Sequence, residues 1–333
     1  MSESSLEAAH ILLFLDFDNT LTTASTLEYI ASIATTAKLI GDKQPALHPK
    51  LTRISQCYKS DLARHNEAYN FKKEQRRTLA HEAAYLDSLK HVEAASLDRV
   101  VGQGLFKGVT PQMVEEVAQA SLRQKHVSLR KGWQSLIGAA QATGVAYVIS
   151  VAWSKRFIEH ILRASDPDMQ VSRNAATFDA ERIAVNANDI AEDGSGLIIG
   201  SKILTGRRIL TSTDKLEVMR KLAGDFTENS LSAAKFQRIK TIYVGDSMTD
   251  LECLMEADLS ICIQDEPPTR DQEQLAQTLH RLGVALRPIS QRRMATKDRK
   301  VDRSADWAEE RLTKTVWIAK DFEEISQYGL YGL

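Results

Sequence analysis

Ile11-Leu12-Leu13-Phe14-Leu15-Asp16-Phe17-Asp18-Asn19-Thr20 is an apolar run that ends abruptly in two carboxylates and a hydroxyl. A short apolar run bounded by turn-forming polar residues reads as a strand covered on both faces, the type found in parallel sheets. Side chains of extended chain alternate with a period of two, so Asp16 and Asp18 point to one side if the strand conformation continues a step further. Ligands of open α/β sheets bind at the carboxyl ends of the strands. Two acids at such a place are poorly explained by stability and mark a chemical site. Taken alone they are also compatible with a helix cap and a turn residue, roles that Asp favours.

Three further apolar runs, 145–149, 239–244 and 259–263, read as buried strands, the last being the final clear one. Helical stretches at 133–142, 154–163, 215–222 and 250–257 separate them, with a strand-like piece at 182–188 and a hairpin or extended excursion at 194–210. Strands alternating with helices across short turns predict a Rossmann-like parallel α/β sheet flanked by helices. Between 51 and 130 the texture changes to Glu, Lys, Arg, Gln and Ala without strand-like runs, and 26–39 and 71–101 carry helical spacing. Thr110 before Pro111 is a good helix start, with Thr110 as N-cap. The chain thus divides into a discontinuous core, 1–22 and 129–290, an all-helical insertion, 23–128, and a tail, 291–333. Residues 1–10 form a polar lead-in, 290–304 a basic solvated loop, and 307–333 an aromatic segment expected to dock on the core.

With 333 residues, 43% of them hydrophobic, the chain can bury a sizeable core. A formal net charge of −1 offers no field to attract nucleic acid or an anionic membrane. Cys57, Cys253 and Cys262 are scattered, which fits free thiols in a reducing compartment, and the N-terminus lacks the basic region of a secretory signal. A soluble cytoplasmic protein without nucleic-acid or membrane partners is the expectation; no feature specifies its oligomeric state. The eight histidines show no metal-ligand spacing.

Asp16 and Asp18, Ser150, and Asp246 and Asp250 all follow predicted strands, and Lys215 opens a helix between the last two groups. In a parallel sheet they converge on one edge. Carboxylates, a hydroxyl and an ammonium together suit a hard cation such as Mg²⁺ and a phosphate group. One carboxylate can attack phosphorus while the other exchanges protons with the leaving oxygen and with water. Ser150 is equally a helix N-cap by type, and Lys202 competes with Lys215 for the lysine position.

These motifs, Asp16-Phe-Asp18-Asn-Thr20, Val148-Ile149-Ser150, Lys215 and Gly245-Asp246-Ser247-Met-Thr-Asp250, occur in the order found in the haloacid dehalogenase superfamily, which the chain resembles. That resemblance implies Asp16 as nucleophile, Asp18 as general acid/base, and Ser150 and Lys215 as phosphoryl-holding groups. It implies Mg²⁺ held by Asp16, Asp246 and the Asp18 carbonyl, with Asp250 on the metal's water shell or on Lys215, and an insertion acting as a C1-type cap. Phe106-Lys-Gly108, the run 148–154, Val185-Asn-Ala-Asn188, Thr205-Gly206 and the run 243–251 resemble more narrowly the phosphatase module of plant thiamine-phosphate phosphatases and its stand-alone fungal relatives. The implied substrate is a small phosphorylated metabolite, thiamine monophosphate first. Phosphoserine, a methionine-salvage phosphoester, a nucleotide monophosphate, or a catalytically idle binding module are the alternatives. Thr20 and Asn188 are placed on the substrate side, Trp153 is either a stacking partner or a core residue, and Tyr29, Tyr69 and Tyr85 read as packing.

Overall fold

In the computed structural model, which describes residues 10–34, 49–165, 179–231, 239–292 and 314–328, the opening apolar run becomes β1 (His10–Leu15), with Leu12 to Leu15 fully buried. The other strands are β2 (Val145–Ile149), β3 (Ile183–Asn186), β4 (Asp189–Ile190), β5 (Ile198–Ile199), β6 (Ile239–Gly245), β7 (Leu259–Ile263), β8 (Ala285–Pro288) and β9 (Thr315–Ala319). Seven of them form one sheet in the order β3-β2-β1-β6-β7-β9-β8, every pairing parallel, while β4 and β5 make a separate antiparallel ribbon. The chain walks outward from β1 through β2 to β3, then returns to place β6 on the other flank of β1. That reversal opens a crevice at the carboxyl ends of β1, β2 and β6.

Period-two alternation sorts the sheet into two apolar layers. Leu13, Leu15, Val148, Val244 and Ile261 face one cluster; Leu12, Phe14, Ile149, Tyr243 and Cys262 face the other. The first is covered by α6 (Trp133–Thr143), α7 (Lys155–Ala164) and α11 (Phe322–Tyr328), the second by α8 (Ser212–Leu231), α9 (Leu251–Glu256) and α10 (Arg270–Arg281).

Between β1 and β2 lie α1 (Leu27–Ser32), α2 (Pro49–Ala68), α3 (Leu79–Ser88), α4 (Lys90–Gly102) and α5 (Pro111–Arg123). Thr110 caps α5 by accepting from the Met113 N–H, with Pro111 as first helical residue, as its spacing predicts. The insert's apolar residues join the sheet's clusters: Ile30, Val114 and Val117 belong to the first, Tyr85 and Leu86 to the second. The helical run 71–101 is interrupted by a 3-10 turn at Lys73–Gln75 and a break at Leu89, and α3 gains its own cap where Thr78 accepts from the His81 N–H. Of the helix anticipated over 26–39, residues 35–39 lie outside the described residues, as do the lead-in up to residue 9 and residues 293–304 of the basic loop.

The tail departs from its expectation. β7 is not the last strand: α10 follows it, capped by Thr269 and Gln272, then β8, and the C-terminal segment enters the sheet as β9 between β7 and β8. Insertion satisfies the β7 edge, which a merely docked segment would leave with unpaired backbone groups.

Gly144, between α6 and β2, passes so close to β1 that an added Cβ would lie 1.9 Å from the Ile11 carbonyl oxygen. Gly144→Ala is expected to destabilise the chain by at least about 1–3 kcal/mol in urea unfolding, the range of overpacking. The exposed Gly224 of α8 has nothing within 4 Å of its added Cβ, and Gly224→Ala is expected to stabilise by about 0.5–1 kcal/mol. Equal effects of the two would contradict this register of α6 against β1.

Candidate active site

The backbone N–H of Asp16 donates to the Val244 carbonyl at 2.9 Å, so the β1–β6 ladder runs one residue past the strand and delivers Asp16 to the crevice in extended conformation. The chain then turns through Phe17–Leu21, with Phe17 and Leu21 fully buried and Asn19 in the left-handed region at φ 57°. Asn tolerates that conformation better than most side chains. Asp18 Oδ1 accepts from the Thr26 N–H at 2.5 Å and the Thr26 hydroxyl at 2.8 Å, immediately before α1. Burial raises the Asp18 carboxyl above its ordinary range against those two donors.

Lys215, in the first turn of α8, is fully buried and donates to Asp16 Oδ1 at 2.7 Å and Asp250 Oδ1 at 2.8 Å. Lys202 is exposed on a 3-10 turn, so Lys215 is the lysine of this cluster. Burial works against its charge, but Asp16 and Asp250 outweigh it and hold the ammonium above its ordinary range. Asp250 is saturated: Oδ1 also accepts from the Tyr243 hydroxyl at 2.7 Å, and Oδ2 accepts from the backbone N–H groups of Asp246 and Ser247 and from the Ser247 hydroxyl. Its contacts make it an anchor for Lys215 and for the turn after β6. Gly245 permits that wrapping, since a Cβ there would lie 2.4 Å from Asp250 Cγ.

Asp246 differs from Asp250. Its Oδ1 accepts from the Thr20 hydroxyl at 2.9 Å, but its Oδ2 is buried without a hydrogen-bond partner. One oxygen each of Asp16, Asp246 and Asp250 lie within 4.8 Å of one another. When all three are ionised, three carboxylates face one ammonium, leaving two negative charges uncompensated. Burial, then Asp250, push the Asp16 carboxyl up to about 7 despite Lys215, and burial with Asp16 and Asp250 pushes Asp246 well above the usual carboxylate range. A divalent cation would supply the missing charge and a partner for Asp246 Oδ2, so these residues fit an oxygen-ligated metal.

Ser150 is buried at the end of β2; its N–H donates to the Asn186 carbonyl and its Oγ accepts from the Ala152 N–H. The N-cap of α7 is Ser154, which leaves Ser150 at the crevice edge. Thr20 faces Asp246, and its hydroxyl donates its one proton to that carboxylate. Asn188, read from sequence as a substrate-side residue, is a brace: fully buried, it donates to the Val151, Ala152 and Ile209 carbonyls and accepts from the Ile209 N–H. These contacts use both amide N–H donors and one of the two acceptor positions on the oxygen. Trp153 meets Phe106 of the insert edge-on, ring centroids 6.1 Å apart, so it packs core against insert. Tyr29 stacks on His126 and Tyr69 meets Tyr85 edge-on, in keeping with packing. Tyr243 and Thr26 are the contributors that sequence reasoning overlooks. A tyrosine within a buried strand reads as core, and only its hydroxyl contact with Asp250 reveals more.

No family model matches the chain. It is similar to a CTO1 family protein of Schizosaccharomyces pombe, 24% identical over 262 residues, which are 76% of this chain and 82% of that one. It is also similar to the mitochondrial bifunctional TH2 protein of Arabidopsis thaliana, 21% identical over 250 residues, 74% of this chain but 35% of that one. Among solved structures a substrate-bound phosphoserine phosphatase complex shares 15% identity at a TM-score of 0.47, covering 97% of this chain and 99% of that one.

A bound divalent cation is expected to raise the unfolding midpoint, through about 2.7 kcal/mol of added stability at a hundredfold excess over its Kd. Asp246→Asn is expected to lose most of that gain, yet to be at least as stable as wild type in chelator, because it removes a carboxyl whose ionised form burial, Asp16 and Asp250 disfavour. Calorimetry of both proteins with metal and with chelator checks this; equal metal-induced shifts would remove Asp246 as a ligand.

Proposed function

We propose that the chain is a Mg²⁺-dependent phosphomonoester hydrolase of the haloacid dehalogenase type, acting through an aspartyl-phosphate on Asp16. The observation that carries this reading is the buried cluster at the crevice: Lys215 clamped between Asp16 and Asp250 beside Asp246, whose Oδ2 has no partner.

Lys215 occupies Oδ1 of Asp16, which leaves Oδ2 to attack phosphorus. As the Asp16–phosphorus bond forms, the bond to the leaving oxygen breaks, and Asp18 gives that oxygen its proton. The upward push on the Asp18 carboxyl favours the protonated form needed here, and Thr26 fixes its direction. In the second half Asp18 takes a proton from water, the hydroxyl attacks phosphorus, and the acyl phosphate releases inorganic phosphate and the Asp16 carboxylate. Ser150 and Lys215 hold the phosphoryl oxygens throughout. Asp16, Asp246 and the Asp18 carbonyl, with Asp250 behind them, would hold Mg²⁺, which would supply charge stabilisation there.

For the substrate we favour thiamine monophosphate. The narrower motif resemblance supports it, and Thr26, bound to Asp18, leads directly into α1 with the exposed Glu28 and the half-buried Tyr29. An acidic and an aromatic side chain there suit a cationic thiazolium. We place the enzyme in the cytoplasm, a location supported by the free state of its three cysteines. Among the described residues no helix is long and apolar enough to cross a membrane.

Phosphate release from thiamine monophosphate, phosphoserine, nucleotide monophosphates and p-nitrophenyl phosphate tests this reading. Wild type with Mg²⁺ is expected to prefer thiamine monophosphate, Asp16→Asn to lose turnover, and Asp18→Asn to lose about 10²–10⁴-fold in kcat. Cleavage of phosphoserine with thiamine monophosphate left intact would end the substrate assignment. Equal turnover by Asp16→Asn would end the nucleophile assignment.

A further inference from the structure

Arg130 lies just beyond the insert, buried at 6% exposure, and all five of its guanidinium N–H donors have acceptors. Nη2 donates to the Asn19 carbonyl at 2.8 Å and Nε to the Thr20 carbonyl at 3.2 Å. Nη1 donates to Asp265 Oδ1 at 2.6 Å and to the Lys320 carbonyl at 3.2 Å, while the second Nη2 hydrogen reaches Asp265 Oδ2 at 3.5 Å. Asp265 is held in turn by Gln272, which donates to its Oδ2 and accepts from its backbone N–H. One side of the guanidinium therefore grips the turn after β1, and the other is fastened beyond β7 and β9.

The backbone around Arg130 is as constrained as its side chain. The Arg130 N–H donates to the Leu21 carbonyl, Thr22 pairs with Leu129 in an antiparallel bridge, and the Thr23 N–H donates to the Ser128 carbonyl. The outgoing and returning linkers of the insert thus form a short ribbon, with Arg130 at its foot. The two carbonyls it grips belong to Asn19, which carries the left-handed backbone, and Thr20, whose hydroxyl orients Asp246.

We propose that Arg130 is a positioning residue: it fixes the Asp18–Asn19–Thr20 turn and ties it to the linkers of the insert. The inference deepens the phosphatase reading and rests on it for its kinetic consequence, but not for its structural one. Arg130 touches no reacting atom; it acts through the direction of Asp18 and through the Thr20 contact with Asp246. Lysine cannot reproduce the planar fork that spans two carbonyls and a carboxylate.

The test uses Arg130→Met and Arg130→Lys in the full chain, with p-nitrophenyl phosphate and Mg²⁺ for kinetics and amide hydrogen exchange for structure. Arg130→Met is expected to lower kcat by about tenfold to a hundredfold with KM within about threefold, because misplacement acts on chemistry more than on binding. Arg130→Lys is expected to fall between, and added guanidinium to recover part of the Arg130→Met loss. Exchange is expected to rise in residues 17–23 and 128–130 while β2 and β7 stay protected. Unchanged exchange in 17–23, a rise spread evenly over the sheet, or an unaltered kcat beside locally raised exchange would each overturn the proposal. If wild type hydrolyses no phosphoester, the phosphatase reading fails by itself, and the exchange pattern still decides whether Arg130 holds the turn.

Discussion

One buried ammonium organises the crevice. Lys215 bridges Asp16, at the end of β1, and Asp250, beyond β6, so two neighbouring strands and the first turn of α8 are locked to a common point. A charged group out of water is costly unless its partners are close and well aligned, and removing one partner of such a set costs about 3–5 kcal/mol. The secondary contacts follow from that requirement. Tyr243, two backbone N–H groups and the Ser247 hydroxyl fix the Asp250 carboxylate in a place without solvent, in position to hold Lys215. Gly245 lacks a side chain because Asp250 occupies the space one would need. Asp246 receives far less, one hydroxyl on one oxygen, so that it is the carboxylate of the cluster that could accept a cation.

The fold provides the place where such a cluster can exist. Reversal of strand order at β1 leaves a gap between neighbouring crossover connections, and the ends of β1, β2 and β6 open into it. Parallel strands buried on both faces have no apolar-to-polar alternation to preserve, so the polar residues collect at their ends. The ladder bond from Asp16 to Val244 carries this order one residue further than the strand itself, and the turn through Asn19 begins only after the nucleophile candidate is in position.

Much of this was legible because it is local. The run before Asp16, the apolar strands ending at Ser150 and Asp246, and the Thr110-Pro111 helix start are patterns of adjacent residues, and each sits where its pattern places it. The β9 strand was not legible, because Thr315-Val-Trp-Ile-Ala319 is short and its place between β7 and β8 depends on an edge formed some fifty residues earlier. β8 ends in Arg287 and Pro288, a composition that gives no strand signal. At the site the difficulty is donors already committed rather than distance. Asn188 and Thr20 have the chemistry of ligand contacts, but their hydrogen bonds go to backbone carbonyls and to Asp246, respectively. The role of Arg130 was not legible either, because its five acceptors come from segments that meet only in the folded chain.

The insert is anchored to the core on both sides, by different means, and the difference bears on how a substrate is chosen. On the α3 side, Glu82 is buried between Arg76 of the insert and Arg281 of α10, at 2.9 and 2.7 Å. Parting that contact would strand a carboxylate without solvent, so this half is bound to the core. On the other side α1 follows the Asp18–Thr26 contact, and the linkers to the core are the ribbon at whose foot Arg130 stands. Any displacement of α1 therefore pulls on the carboxylate assigned to proton transfer. Thr26 is thus the point at which the residues that would read a leaving group, Glu28 and Tyr29, are joined to the residue that would protonate it.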